Sequence, residues 1–413
     1  MSIKISKFGK IRKADIALDG LTVIAGQNDT GKSTIGKALF SVIKSVIDFP
    51  QLYYELSQKK AFSKLSAILF EILKNDSKKS KALLDIRNEI LNSIFDEKQQ
   101  DVYKNIYSYL EQLSLYMDEA QVDDNIKEQI VNINKDLVKD IDNDEKFKEI
   151  AEYIFSKDFK RDYNNSVSKE QSKIDYSIGD SLVASLSFEK NRIELAHIDV
   201  DYKAKSFSDV TFIESPLYLE ESHNSKSPYV EDLKDKISIS KDLLDEKNNN
   251  VEILEQIDLV LGQGKFEYDK EKKQLKYKVS ENASPLNIEN IASGSKMFGL
   301  IYLLLKTGTL AKDSLLVFDE PENHLHPEWQ IKLAKIIVTM VKNDFYVLLT
   351  SHSPTFIHAL MKYGSECIER KNKVKFYLAE KVCEQNYSDL NEVEDVNRIF
   401  DNLTSPNDIL YFG

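Results

Sequence analysis

The chain has 413 residues, of which 42% are hydrophobic and 30% charged, and its net charge is −12. That length exceeds a usual single core and points to one large domain with an insertion, or to two domains. No apolar run approaches the roughly 18 residues of a membrane span, and the acidic balance disfavours sequence-independent wrapping of nucleic acid, although a local basic strip stays open. The opening residues MSIKISKFGK contain no apolar signal core, and the only cysteines are Cys367 and Cys383. Neither secretion nor a disulfide framework is expected, and the expected compartment is a reducing cytoplasm.

"IKISKF", "ADIAL" and "LTVIAG" predict three strands at the start. The third runs into Gly26-Gln27-Asn28-Asp29-Thr30-Gly31-Lys32-Ser33 and then a helical stretch, which satisfies G-x-x-x-x-G-K-[ST] in its strand–loop–helix setting. Gly26 and Gly31 let backbone N–H groups close on phosphate oxygens, and the helix N-terminus points at the same charge. In this reading Lys32 reaches the β/γ-phosphates, Ser33 ligates Mg²⁺ through its hydroxyl, and Thr34 adds a contact to the α-phosphate. The cofactors expected are ATP and Mg²⁺.

After Gly36 the next glycine is Gly179, and Pro50 is the only proline before Pro216. So long a stretch without the two strongest helix breakers reads as helical. Leu65, Ile68, Leu69, Ile72 and Leu73 follow the i, i+3, i+4 spacing, and Tyr103, Ile106, Tyr107, Leu110 and Leu113 nearly repeat it. Polar breaks such as "KNDSKKSK" argue for a compact helical insertion rather than one coiled coil. Strands follow it: "SLVASLSFE", "RIELAHIDV", "VTFIE", "GKFEYD" and "QLKYKVS". The domains expected are a head of residues 1–48 and 175–413 and a helical insertion of 49–174.

From 291 onward the pattern alternates: helix 291–306, strand 314–318, helix 328–342, strand 345–350, helix 355–363, strand 373–379 and a closing helix 391–403. This is the signature of a parallel α/β sheet. In "IASGSKMFGLIYLLL", Ser293 is placed to N-cap the helix, Gly294 and Ser295 permit close approach, and Phe298, Ile301, Tyr302 and Leu305 form its apolar face. Alone, this is a capped core helix; a Ser-Gly step at a helix N-terminus is also an anion site.

"LLVFDEPENHLHP", residues 315–327, puts two carboxylates at the tip of a buried strand. A Mg²⁺-triphosphate needs a carboxylate there, so Asp319 is the metal candidate beside Ser33. Glu320 is placed to orient or deprotonate an attacking water. The competing reading, a protein metal cluster of Glu322, His324 and His326, lacks an i, i+4 helical pair and falls in a loop bracketed by Pro321 and Pro327. Strand "FYVLLTSHSP" ends in His352, a candidate for sensing the γ-phosphate; His358 reads as packing or surface.

The order of phosphate loop, Ser-Gly helix, Asp-Glu strand and His strand resembles the ATP-binding-cassette class of P-loop ATPases. "DEPENHLHP" with "TSHSP" more narrowly resembles the branch holding RecF, the structural-maintenance-of-chromosomes (SMC) heads and the OLD-family ATPases, including stand-alone anti-phage ATPases such as AriA of PARIS and PtuA of Septu. The resemblance covers roughly 1–48 and 175–413 and implies an α/β ABC-type head with a flanking antiparallel β region, interrupted by the helical insertion. It also implies a homodimer or higher homo-oligomer in which Ser293 and Gly294 of one subunit touch the γ-phosphate held by the partner's Lys32. Here the usual Leu-Ser-Gly-Gly-Gln is replaced by Ala292-Ser293-Gly294-Ser295-Lys296, so Lys296 becomes a source of positive charge. Glu214-Ser215-Pro216 stands at the family's glutamine-loop position, and Arg12 and Lys13 fall near the ribose or α-phosphate by the same analogy.

About 50 residues follow "TSHSPTFIHALMKYG", below the size of an independent domain, so no fused effector domain is expected. The leading functional expectation is a cytoplasmic ATPase that assembles on ATP and controls a separate effector protein, for instance a nuclease, in anti-phage defence. The alternative is a RecF-like repair or chromosome-maintenance ATPase that binds DNA. A transport-coupled ATPase, which would need a membrane partner, fits less well, and a scaffold that binds ATP without turnover stays open.

Overall fold

The computed structural model describes residues 1–75, 124–138, 141–160, 163, 171–189, 191–203, 205–215, 227–238, 250–262, 264–269, 274–280, 282–368, 373–382 and 387–404. The second periodic run, Tyr103 to Leu113, lies outside them, as do Pro216 and Cys383. The chain divides into two compact units, one of residues 1–47 and 151–413 and one of 48–150.

In chain order the larger unit contains β1 (Ser2–Phe8), β2 (Ile11–Ala17), β3 (Gly20–Gly26), β4 (Ser172–Ile178), β5 (Ser181–Glu189), β6 (Arg192–Ile198) and β7 (Val210–Ile213). There follow β8 (Lys265–Asp269), β9 (Gln274–Lys278), β10 (Leu286–Asn287), β11 (Leu315–Asp319), β12 (Tyr346–Ser351), β13 (Lys373–Val382) and β14 (Tyr387–Glu392). Eleven of these form one sheet in the order β6-β5-β4-β1-β2-β14-β13-β3-β12-β11-β7, and β10-β9-β8 form a second. Strands β13, β3, β12, β11 and β7 run parallel. The flank β6-β5-β4-β1-β2 is antiparallel. The hairpin β13–β14 joins the halves, because β14 is antiparallel to β13 yet parallel to β2.

One expectation about the C-terminal part needs correction. The helix foreseen at 391–403 is shorter, Asn397–Thr404, because 387–392 extend as β14. Strand β13 lies inside the sheet, between β3 and β14. Backbone pairing to β3 decided this, and nothing local in "KVKFYLAEK" encodes a partner.

Helices cover the parallel half. Lys32–Ile47 follows the phosphate loop and buries Ile35, Leu39, Phe40 and Ile43. A Cβ on Gly36 would meet the Phe212 ring at 2.7 Å and Val317 at 3.2 Å, so only glycine lets this helix lie so close to β7 and β11. Ser293–Lys306, Pro327–Lys342 and Pro354–Ile368 complete the cover. On the flank, Phe8 and Phe188 pack with Phe155, Phe159 and Tyr163 into an aromatic cluster at centroid distances of 5.0–6.3 Å.

The smaller unit is helical in its described part, with Gln51–Asn75, Asp124–Val138 and the start of Asn143–Phe159. Leu65 and Ile68 of the foreseen apolar stripe are buried, with Phe62, Ile130, Ile133 and Phe147. Among the described residues no helix is long and apolar enough to cross a membrane.

Candidate nucleotide site

The phosphate loop leaves β3 at Gly26 and closes at the N-terminus of helix Lys32–Ile47. Gly31 has φ +81°, a left-handed value that costs any other residue strain, and a Cβ there would meet Ile11 at 2.8 Å. Lys32 is buried and donates to the carbonyl oxygens of Gly26 and Gln27, each at 2.9 Å. Thr30 Oγ1 donates to the Gln27 carbonyl at 2.8 Å, and Gln27 Nε2 donates to the Asn402 carbonyl at 3.0 Å. Asn28 and Asp29 are exposed at the loop tip, where Asp29 pairs with Lys10 of the β1–β2 turn. Thr34 leans on that turn at Gly9.

Strands β11 and β12 are parallel neighbours in a register that sets Asp319 directly opposite Thr350. Thr350 Oγ1 donates to Asp319 Oδ1 at 2.6 Å, and the Ser33 hydroxyl is near enough to act on the same carboxyl. Burial pushes the Asp319 carboxyl up, and the Thr350 and Ser33 hydroxyls oppose that shift. Among the described residues no cationic side chain lies within ion-pair distance of it.

The next residue turns sharply, with Glu320 at φ +50°. Its backbone N–H is held by Thr350, and its side chain faces two groups: Lys32 Nζ at 3.5 Å and His352 Nδ1 at 3.2 Å. The His352 contact is off-line for a good hydrogen bond, and we read it as charge attraction within a loose contact. The imidazole, then Asn323 and Lys32, hold the Glu320 carboxyl down at about 2, while Glu320 in turn raises His352 above its usual 6.5. Burial lowers Lys32, partly offset by Glu320. Lys32, Ser33, Asp319, Glu320 and His352 thus meet at the carboxyl ends of β3, β11 and β12, as ligand-binding groups do in open parallel sheets.

Ser293 is the first helical residue, not the N-cap; that place is taken by Ala292, and no side chain caps the helix. Gly294 is closely packed: a Cβ would meet the Trp329 ring at 2.8 Å and Leu325 at 3.0 Å. No hydrogen bond among the described residues links either to the Lys32–Glu320–His352 cluster. Lys296 is only 3% exposed, so its charge is not presented at the surface as the motif led one to expect. Arg12 pairs through its guanidinium with Asp389 on β14, and Glu214 accepts from Lys37 at 2.9 Å and Tyr229 at 2.6 Å. His358 is exposed, its ring edge-on to Phe400.

The competing cluster of Glu322, His324 and His326 does not assemble. Glu322 points inward to Ser351 and the His352 backbone, and His326 caps helix Pro327–Lys342 through Nδ1. Among the described residues no group of three or more His, Cys, Asp or Glu side chains could hold a metal ion. Thr350, Ser351 and Lys10 escaped the sequence reading, because their proximity to the site depends on strand pairing and on a turn folding back over the phosphate loop.

A phosphate loop at the end of a parallel strand, beside a strand closing on paired acids and flanked by an antiparallel region, defines an ABC-type P-loop ATPase head. The chain belongs to the AAA_15 family, described as an AAA ATPase domain, whose family model matches residues 1–357. No curated protein matches it in sequence. Among solved structures it is similar to the SMC head domain from Thermotoga maritima, at 9% identity over 95% of this chain and 98% of that one, with a TM-score of 0.40. It is also similar to an SMC head bound to the C-terminal winged-helix domain of ScpA, at 11% identity over 95% and 97%, TM-score 0.45. A third is the SMC head domain with an extended coiled coil bound to the ScpA C-terminal domain, derived from Pyrococcus furiosus, at 12% over 98% and 98%, TM-score 0.34.

Proposed function

We propose that this ATPase head binds ATP with Mg²⁺ at the Gly26–Thr34 loop and hydrolyses the γ-phosphate at Glu320. The observation that carries this reading is the convergence of Lys32, Glu320 and His352, from three separate segments, within 3.5 Å contacts. The residues suit the cofactor: a buried Asp319 carboxyl beside the Thr350 and Ser33 hydroxyls, with no cationic side chain at ion-pair distance among the described residues, is a place for a hard cation. When bound, Mg²⁺ would supply charge to the phosphates. Asp319 and Ser33 would hold it, and Lys32 would exchange its loop carbonyls for phosphate oxygens. Glu320, ionised at neutral pH, accepts a proton from the attacking water, and the His352 imidazole beside it faces the γ-phosphate side. Steady-state hydrolysis by wild type and Glu320→Gln tests this; equal rates would remove Glu320 from the chemistry.

The head assembles on ATP as a homodimer or higher homo-oligomer, with Ser293 and Gly294 facing the partner's nucleotide, and controls a separate effector in anti-phage defence. This part rests on the resemblance of "DEPENHLHP" and "TSHSP" to the stand-alone defence ATPases. Sedimentation with and without ATP tests assembly, and phage challenge of cells carrying the neighbouring genes tests the role. Salt-dependent duplex binding that stimulates hydrolysis would instead favour the RecF-like role.

A further inference from the structure

We propose that Glu322 is a positioning residue for hydrolysis, fixing His352 by its backbone. The inference rests on the hydrolytic reading of Glu320 and His352 given above. Glu322 is 3% exposed, and its Oε1 accepts both from the Ser351 hydroxyl and from the His352 backbone N–H at 3.2 Å. Its Oε2 is buried with no hydrogen-bond partner among the described residues. Burying a carboxyl so incompletely satisfied costs stability, and the fold has a less costly solution in an apolar side chain. What the residue contributes is geometry.

The segment after β11 folds back on itself: Asn323 N–H donates to the Glu320 carbonyl at 3.0 Å and Leu325 N–H to the Glu322 carbonyl at 3.0 Å. One short turn therefore aims Glu320 at the His352 ring and Glu322 at the His352 backbone. The histidine is held at two points by one loop. A second brace locks the far side, where Ser353 N–H donates to Ser351 Oγ at 3.1 Å and Ser353 Oγ to Gln330 at 2.7 Å. Without Glu322 the His352 N–H loses its acceptor and the imidazole loses its fixed height above Glu320. Misplacement of a reacting group by about 1 Å costs on the order of 100-fold in rate.

The test is a double-mutant cycle on ATP hydrolysis between Glu322→Ala and His352→Ala, with Glu322→Gln as the conservative variant and thermal melting to establish folding. Expected are a kcat lowered about 10- to 100-fold in Glu322→Ala with KM for ATP within about twofold, and no further loss when it is added to His352→Ala. Glu322→Gln, which keeps the Oε1 acceptor, should recover most of the rate; should Glu322→Ala not fold, the same cycle run with Glu322→Gln and Glu322→Leu decides, Leu behaving as Ala. Equal losses from Glu322→Ala in both backgrounds, or a rise in KM matching the fall in kcat, would overturn the proposal and leave Glu322 a structural residue. His352→Ala hydrolysing at the wild-type rate would instead overturn the role of His352 itself.

Discussion

The five strands β13, β3, β12, β11 and β7 and the five strands β6, β5, β4, β1 and β2 belong to one sheet but are built by different rules. In the parallel half, β3, β7 and β11 are buried at every position, and β12 at all but its first. On the flank, β1, β2, β4 and β6 mix buried with partly or fully exposed residues. Parallel strands need crossover helices, which cover both faces, whereas antiparallel strands can leave one face to water. The consequence is functional. Parallel strands all end on one edge, so Gly26, Asp319 and Ser351 are delivered side by side, while antiparallel strands send successive turns to opposite edges. Among the described residues the flank reaches the site through the β1–β2 turn, where Lys10 and Ile11 lean on the phosphate loop.

The largest effects that would break this contrast lie in the chemistry. Glu320→Gln should lower kcat by about 10²–10⁴-fold, and Lys32→Ala at least as far. Arg12→Ala, which removes an exposed ion pair with Asp389 on the flank side, should leave the rate unchanged. Steady-state phosphate release measures all three, and a large loss from Arg12→Ala would give the flank a role denied to it here.

Next in size are packing effects. Phe318→Ala, at a fully buried position of β11, should cost about 3–5 kcal/mol in denaturant unfolding. Leu195→Ala on edge strand β6, 63% exposed, should cost no more than about 0.5 kcal/mol. Gly294→Ala drives a methyl into Trp329 and Leu325 and should cost about 1–3 kcal/mol.

The smallest effect is electrostatic. His352 is raised above 6.5 by Glu320, so its contribution to stability is complete below pH 6.5 and fades as pH rises through the folded value. Glu320 is held at about 2 against an ordinary 4.5, so its contribution is present above pH 4.5 and is lost as pH falls toward 2. The pair therefore stabilises most between about pH 4.5 and 6.5. An NMR titration of the His352 ring should show its pKa falling toward 6.5 in Glu320→Gln; an unmoved titration would mean that the two are not coupled.

Much of this was readable beforehand. The phosphate loop is contiguous, and its glycines, lysine and serine state their chemistry through spacing alone. The alternation of strand and helix from 291 onward fixed a parallel sheet, and the uniformly apolar "LLVF" marked a strand buried on both faces. The N-cap at Ser293 misled, because Ala292 adopts the flanking conformation and Ser293 already enters the helix. No strand was expected at 387–390, and the closing helix was expected to start at 391, because β2, a pairing partner of β14, is distant in the chain.

By itself the sequence determined that a phosphate-binding loop, a strand ending in two acids and a strand ending in histidine all exist, since each is a local pattern of backbone freedom, polarity and periodicity. Only the tertiary structure decided that these ends meet. It set Thr350 opposite Asp319 through strand register, turned Glu322 inward to His352 rather than outward to a metal, and folded Lys10 over the phosphate loop. The reason is that hydrogen-bond register and side-chain burial are properties of pairs of segments, and no single segment carries them.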